Sequence, residues 1–124
     1  MLRAKRRILR PGGRLAFFVI AVADDLTPAE RRRAIDAGPD HVAALDGYPK
    51  MLDASGFVDV EFRDVTAEYR ITLEAWIREW EEEAAGIIGL VGAGEFEERQ
   101  GRRHRASAAV DDGLLQRWLI SASA

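Results

Sequence analysis

The sequence of 124 residues is long enough for one domain with a modest core and too short for two, so we expect residues 1–124 to form a single domain. Its apolar fraction of 48% and charged fraction of 31% exclude disordered and fibrous classes. The formal net charge of −3 gives no reason to expect an anionic polymer as partner. The absence of cysteine excludes disulfides and thiol nucleophiles and fits a cytoplasmic location.

The chain opens with the end of a helix and a strongly apolar strand. Residues 2–9 have the pattern of the last turns of a helix, and Pro11-Gly12-Gly13 predicts a turn. The uncharged stretch from Leu15 to Val22 predicts a strand that is apolar on both faces, which usually lies inside a sheet with neighbours on both sides. The stretch is too short to cross a membrane and has no signal cleavage pattern, so we expect no membrane partner.

The middle of the chain predicts two helices and an exposed strand. Thr27-Pro28-Ala29-Glu30 has the pattern of a capping box and begins a helix that runs to Asp36. A second helix begins at Gly47 and runs to Ala54. Residues 58–62 then alternate between apolar and charged, which is typical of an edge strand with one face in water.

The last third predicts long helices and a final strand. The apolar residues of 72–91 recur on one helical stripe, so we expect one long amphipathic helix, with a break at Gly86 or Gly89 as an open alternative. Gly92-Ala93-Gly94 ends it, and residues 95–109 predict a mostly polar helix. Residues 114–122 predict an apolar strand.

Three stretches carry a resemblance to a known family: LRPGGRLAFFVI, YPKMLDASGFVDVEFRDVTAEYRITLEAW and GLLQRWLISA. In this order they resemble the C-terminal half of class I S-adenosylmethionine-dependent methyltransferases. The resemblance implies an α/β chain with part of a Rossmann-like methyltransferase fold. Its three strands would form a mixed sheet in the order first, last, middle, with helices, and the N-terminal cofactor-binding half would be absent.

The resemblance also implies where the cofactor should bind. The family holds S-adenosylmethionine with a glycine-rich loop after its first strand and an acidic residue after its second. Here the glycine-rich candidate is the segment from Gly89 to Gly94, which follows a predicted helix and has no strand-borne acid about twenty residues later. We therefore expect no cofactor-binding residue in this chain, no S-adenosylmethionine bound by the chain alone, and a truncated, inactive enzyme.

The strand from Leu15 to Val22 would then lie at an open edge of the sheet. A long uncharged edge is a template for pairing with another chain. We expect a homodimer formed through this edge, or by exchange of elements between protomers.

The acceptor pocket of the family lies at the C-terminal ends of the strands, often covered by the segment between the sixth and last strands, here residues 66–112. The candidate substrate-binding residues are Ile20, His41, Trp76, Trp80, Phe96 and His104. Several have a plainer alternative: Trp76 and Trp80 have the spacing of core residues, His104 lies in the solvated run RRHR, and His41 lies in a loop.

No residue is singled out as catalytic. Glu81-Glu82-Glu83 points its carboxylates in different helical directions, so we expect no metal site. The basic runs lack interleaved aromatic residues, so we expect no nucleic acid partner.

Two functions stay open. One is a methyltransferase of small-molecule acceptors, of which this chain is the acceptor-side half. The other is a non-catalytic dimeric binding or interaction module derived from such an enzyme.

Overall fold

A computed structural model describes residues 9–39 and 47–124 of the chain. Its elements in chain order are β1 (Arg14–Val22), α1 (Pro28–Ala37), α2 (Tyr48–Ala54), β2 (Val58–Asp64), α3 (Thr66–Glu82), α4 (Ala84–Val91), α5 (Ala93–Asp111) and β3 (Leu115–Ser123). The helix expected over residues 2–9 lies, apart from its last residue, outside the described residues.

The three strands form one sheet in the order β1-β3-β2, which confirms the expected order of first, last and middle strand. Strand β3 runs antiparallel to both neighbours, with Arg14 opposite Ser123 on one side and Phe62 opposite Ile120 on the other. The pairing therefore differs from the mixed sheet expected from the sequence. The outer strands point in the same direction but do not touch, so both ladders are antiparallel.

The sheet has an apolar cluster on each face. One cluster joins Val19 and Ile120 of the sheet to Leu52 of α2. The other joins Leu115 of β3 to Ala34 of α1 and Leu73 of α3, together with three residues of α5. Helices therefore cover both faces, which explains why β1 is apolar on both sides.

The β2 edge of the sheet is interrupted and charged. The register between β2 and β3 shifts between Val58 and Glu61, and Asp59 has a φ of 52°, a left-handed conformation that is uncommon for a residue with a side chain. Asp59, Glu61 and Arg63 are exposed along this strand. The prediction of an edge strand here is confirmed.

Helix boundaries in the second half of the chain differ from the prediction. Helix α3 begins at Thr66 and not at Thr72, because a carboxylate oxygen of Asp64 accepts hydrogen bonds from the backbone N–H and the hydroxyl of Thr66 and so fixes the entry to the helix. The break between α3 and α4 falls at Glu83, after a run of glutamates that is unfavourable at a helix C-terminus. Gly86 and Gly89 continue the helix, and a methyl group at either position would meet nothing within 4 Å.

Small residues bring α1 close to α5. Ala34 on α1 and Ala109 on α5 are both fully buried in the same cluster.

The capping box predicted for α1 is confirmed: Glu30 N–H donates to Thr27 Oγ1 at 3.1 Å, and Thr27 N–H donates to Glu30 Oε1 at 3.0 Å. The hydrogen bonds from Thr27 lower the pKa of Glu30.

The substitution Thr27→Ala should lower the free energy of unfolding by about 1 kcal/mol, because it leaves an N-terminal N–H of α1 without its side-chain acceptor. Thr27→Ser keeps the hydroxyl and is the matched control. Urea denaturation followed by circular dichroism measures both. Equal stability of the alanine and serine variants would show that the box does not stabilise α1.

Candidate functional site

A cleft of about 540 Å³ opens on the face of the sheet that α1, α3 and α5 cover. Strand β1 contributes one residue near its C-terminal end, α1 contributes its last turn, and α3 and α5 contribute one side each. The lining residues are Ile20, Asp36, Ala37, Gly38, Pro39, Tyr69, Leu73, Trp76, Arg102, Arg103, Arg105 and Ala106. The wall is thus aromatic on the α3 side and cationic on the α5 side.

The aromatic wall follows from helical spacing. Tyr69, Leu73, Trp76 and Trp80 recur every three or four residues and so share one face of α3. Leu73 is buried in the core and holds this face against the sheet, while 46% of Trp76 is exposed. Trp76 is therefore open to a ligand in the cleft.

Arg103 is a cationic residue of the cleft that contacts both α5 and α3. Its Nη1 donates to Gln100 Oε1 at 3.1 Å, and Gln100 Nε2 in turn donates to the backbone oxygen of Ile77 at 3.0 Å. The guanidinium carbon lies 4.0 Å from the ring centroid of Trp80 and 5.9 Å from that of Trp76. Burial, and next the nearby charge of Arg99, lower the pKa of Arg103.

Tyr69 lies deeper in the cleft and is half-buried. Burial raises the pKa of its phenol, an effect that the charge of Arg117 partly opposes. The Arg117 guanidinium carbon lies 5.1 Å from the Tyr69 ring and 4.0 Å from the Phe18 ring. Because the phenol stays protonated at neutral pH, Tyr69 is suited to donate a hydrogen bond and not to act as a base.

The structure brings some of the predicted site residues together and separates others. Ile20 and Trp76 line the cleft. Trp80 and Phe96 stack on each other with centroids 5.6 Å apart, outside the lining but joined to it through Arg103. His104 does not line the cleft and places Nε2 at 3.6 Å from Glu81 Oε1. His41 lies outside the described residues.

Ten of the twelve lining residues are not among the predicted site residues, and Tyr69, Arg103 and Arg105 are the three of them with most bearing on ligand binding. Tyr69 lies four residues before Leu73 and continues its stripe, but the predicted helix begins only at Thr72. The arginines belong to a run that has the pattern of a solvated surface. Only the packing of α5 against the tryptophans of α3 distinguishes these arginines from ordinary solvated surface residues.

The described residues contain no group of three or more histidines and carboxylates placed to hold a metal ion. Within the same ranges, no helix has the length and apolar composition to cross a membrane.

The glycine-rich segment from Gly89 to Gly94 joins the end of α4 to the start of α5 and does not follow a strand. The described residues therefore do not form the loop that would fit the adenosyl cofactor of the resembled family.

The sequence matches no protein-family model and no curated protein. Solved structures do match. Phosphoethanolamine N-methyltransferase 2 of Haemonchus contortus, in complex with phosphomonomethylethanolamine and S-adenosylhomocysteine, superposes with a TM-score of 0.80 at 13% identity over 98% of this chain and 28% of its own.

Two other solved structures match in the same way. A putative sarcosine dimethylglycine methyltransferase of Galdieria sulphuraria has a TM-score of 0.80 at 12% identity, over 98% of this chain and 45% of its own. The cyclase SpnF has a TM-score of 0.61 at 19% identity, over 98% of this chain and 43% of its own. At these identities the likeness defines the fold alone.

The chain therefore has part of the fold of a class I methyltransferase and spans less than half the length of each of these three proteins. Proteins of this fold are solved with S-adenosylmethionine or S-adenosylhomocysteine. The cyclase among them means that the fold by itself does not define the reaction.

A double-mutant cycle tests the anchoring of Arg103. Gln100→Met and Arg103→Met should each lower the free energy of unfolding by about 1 kcal/mol, and the double variant should lose about 0.5–1 kcal/mol less than the sum. Urea denaturation of the wild type, the two single variants and the double variant measures their free energies of unfolding. Additive losses would show that the two side chains do not interact.

Proposed function

We propose that this chain is the acceptor-side part of an S-adenosylmethionine-dependent methyltransferase of small molecules. A cofactor-binding half, in the same polypeptide or in a partner chain, would complete the sheet along β1. The observation that carries the proposal is the likeness of fold to methyltransferases over 98% of this chain.

The cleft supports this proposal because it has what an acceptor site needs. Ile20 lies near the C-terminal end of β1, where ligands of open α/β sheets bind. Tyr69 and Trp76 offer flat apolar surfaces that orient an acceptor and exclude water, which is the main task of a protein in a group transfer between bound partners. The described residues of this chain would bind and orient the acceptor and would not bind the methyl donor.

The proposal is tested by calorimetric titration with S-adenosylhomocysteine. We expect no binding to the 124-residue chain up to about 1 mM ligand. Where the reading frame upstream of Met1 encodes a strand followed by a glycine-rich loop, we expect the extended protein to bind with a dissociation constant of about 1–100 μM. Trp76→Ala in the extended protein is the control and should leave this binding unchanged, because Trp76 lies on the acceptor side.

Two results would count against the proposal. Binding of S-adenosylhomocysteine to the 124-residue chain itself would contradict the assignment of acceptor binding to this chain and of cofactor binding to the other half. Failure of the extended protein to bind the ligand would favour the second function.

The second function is a non-catalytic homodimeric module, and the outer edge of β1 favours it. Ala23 N–H donates to Leu114 O, and Ala124 N–H donates to Gly13 O, so the odd-numbered residues of β1 make the hydrogen bonds to β3. The backbone groups of Ala16, Phe18 and Ile20 consequently point away from β3. No strand of residues 9–39 and 47–124 pairs with that edge.

The β1 edge also lacks the protection that β2 has. Between Leu15 and Val22 the strand carries no charge and no bulge, whereas β2 has both. Two copies of the chain pairing edge to edge would satisfy the outward backbone groups. A cofactor-binding half and a second copy would compete for this edge, so the two functions exclude each other at one surface.

Ala16→Pro separates the functions in the purified chain. The substitution removes an N–H that points outward and leaves the ladder to β3 intact, so it should convert a dimer into a folded monomer of 13.8 kDa. Ala16→Thr keeps the N–H and should stay dimeric. Size-exclusion chromatography with light scattering measures both, and a wild-type monomer at micromolar concentration would exclude the homodimer.

A further inference from the structure

The cleft and a neighbouring hollow form one strongly cationic surface. The hollow, of about 390 Å³, lies between α1 and α5 and shares Asp36, Ala37 and Arg105 with the cleft. The charged residues that line the two are Arg32, Arg33, Arg102, Arg103, Arg105 and Asp36. Five guanidinium groups thus accompany one carboxylate in a protein whose formal net charge is −3.

Two of these cations are neutralised by acidic neighbours. Arg33 pairs with Asp112, and Arg102 Nη2 lies 3.1 Å from Glu98 Oε1. For Arg32, Arg103 and Arg105, the described part of the chain provides no carboxylate within 4.0 Å. Cations grouped without anionic partners are a common feature of sites that bind anions.

Arg103 is prepared for such a ligand. Gln100 is neutral and uses one N–H, and the face of the guanidinium lies on Trp80, which leaves the other N–H groups available at its edge. Burial already disfavours its charge, as the direction of its pKa shows. An oxyanion at that edge would compensate the lost hydration with charge-assisted hydrogen bonds.

We infer that the cleft binds an acceptor that carries an oxyanion on an aromatic or apolar body. Arg103 donates hydrogen bonds to the oxyanion, Arg105 adds positive charge to the same cleft, and the body lies against Trp76 and Tyr69. That the ligand is a methyl acceptor rests on the proposed function, whereas the binding of the anion does not. Phosphate and carboxylate share the required chemistry.

Nuclear magnetic resonance of the 124-residue chain tests the inference without any methyl donor. The probes are phenyl phosphate, phenylacetate, benzyl alcohol and inorganic phosphate. The indole N–H signals of Trp76 and Trp80 report on the cleft, and that of Trp118 is an internal reference because Trp118 packs on the opposite face of the sheet.

We expect phenyl phosphate to shift the Trp76 signal with a dissociation constant on the order of 1 mM and to leave Trp118 unchanged. Phenylacetate should bind within about tenfold of it, and which of the two binds more tightly distinguishes phosphate from carboxylate. Benzyl alcohol and inorganic phosphate should each bind at least about tenfold more weakly, because each lacks one half of the recognised chemistry.

Variants assign the binding to the proposed cations. Arg103→Gln should weaken phenyl phosphate binding about tenfold or more. Arg105→Gln should weaken it in the same direction, and since Arg105 is exposed its replacement does not endanger the fold. Arg31→Gln, on α1 but outside the lining, is the matched control and should bind as the wild type does.

Equal binding of phenyl phosphate and benzyl alcohol, no shift of either cleft tryptophan, or an equal effect of Arg31→Gln and Arg105→Gln would overturn the inference. None of these results bears on the outcome of the titration with S-adenosylhomocysteine. Conversely, if the chain binds the anion but its extended form binds no S-adenosylhomocysteine, the anion site is supported and the proposed methyltransferase function is contradicted.

Discussion

The position of β3 between β1 and β2 is the constraint on which the rest of the structure depends. Strand β3 comes last in the chain but lies between the other two, so without it β1 and β2 would have no strand to pair with. Ile120 and Leu115 are fully buried on opposite faces of β3 and anchor the two apolar clusters. Hydrogen bonds from Gly12 to Ala124 and from Ala23 to Leu114 hold both ends of the β1 ladder.

The cleft is a consequence of this arrangement. Because β3 places Leu115 under α5 and α3, these helices lie side by side over β1, and the aromatic stripe of α3 meets the arginines of α5. The small buried residues Ala34 and Ala109 let α1 lie beside α5 and close the cationic end. A single sheet order thus positions an aromatic wall and a cationic wall that are distant in sequence.

The sequence predicts the elements well where the signal is local. The capping box of Thr27 and Glu30, the apolar run of β1 and the alternation in β2 each depend on neighbouring residues, and all three are found. The start of α3 is missed because hydrogen bonds from Thr66 to Asp64, a residue of the preceding strand, fix the entry to the helix. The helix ends at Glu82 because the acidic run weakens its C-terminus more than either glycine does. The cationic wall is missed because its neighbours are tertiary: Arg103 has the pattern of a solvated residue until Trp80 and Gln100 are placed beside it.

The same sheet order joins the fold to the proposals. The outer edge of β1 is where a second half or a second copy would pair, and the face of β1 that carries Ile20 is the floor of the cleft. If β1 did not pair with β3, the likeness to methyltransferases, the open edge and the cleft would all lose their basis.

Nuclear Overhauser contacts of Ser121 test this order most directly. Ser121 lies opposite Ala16 on β1 and opposite Glu61 on β2. With β3 in the centre, its α-proton should show a strong contact to the α-proton of Ala16, because the two form a non-hydrogen-bonded pair, and its amide proton should show a contact to the amide proton of Glu61. Contacts of Ser121 to only one of the two strands would contradict the central position of β3 and the cleft built on it.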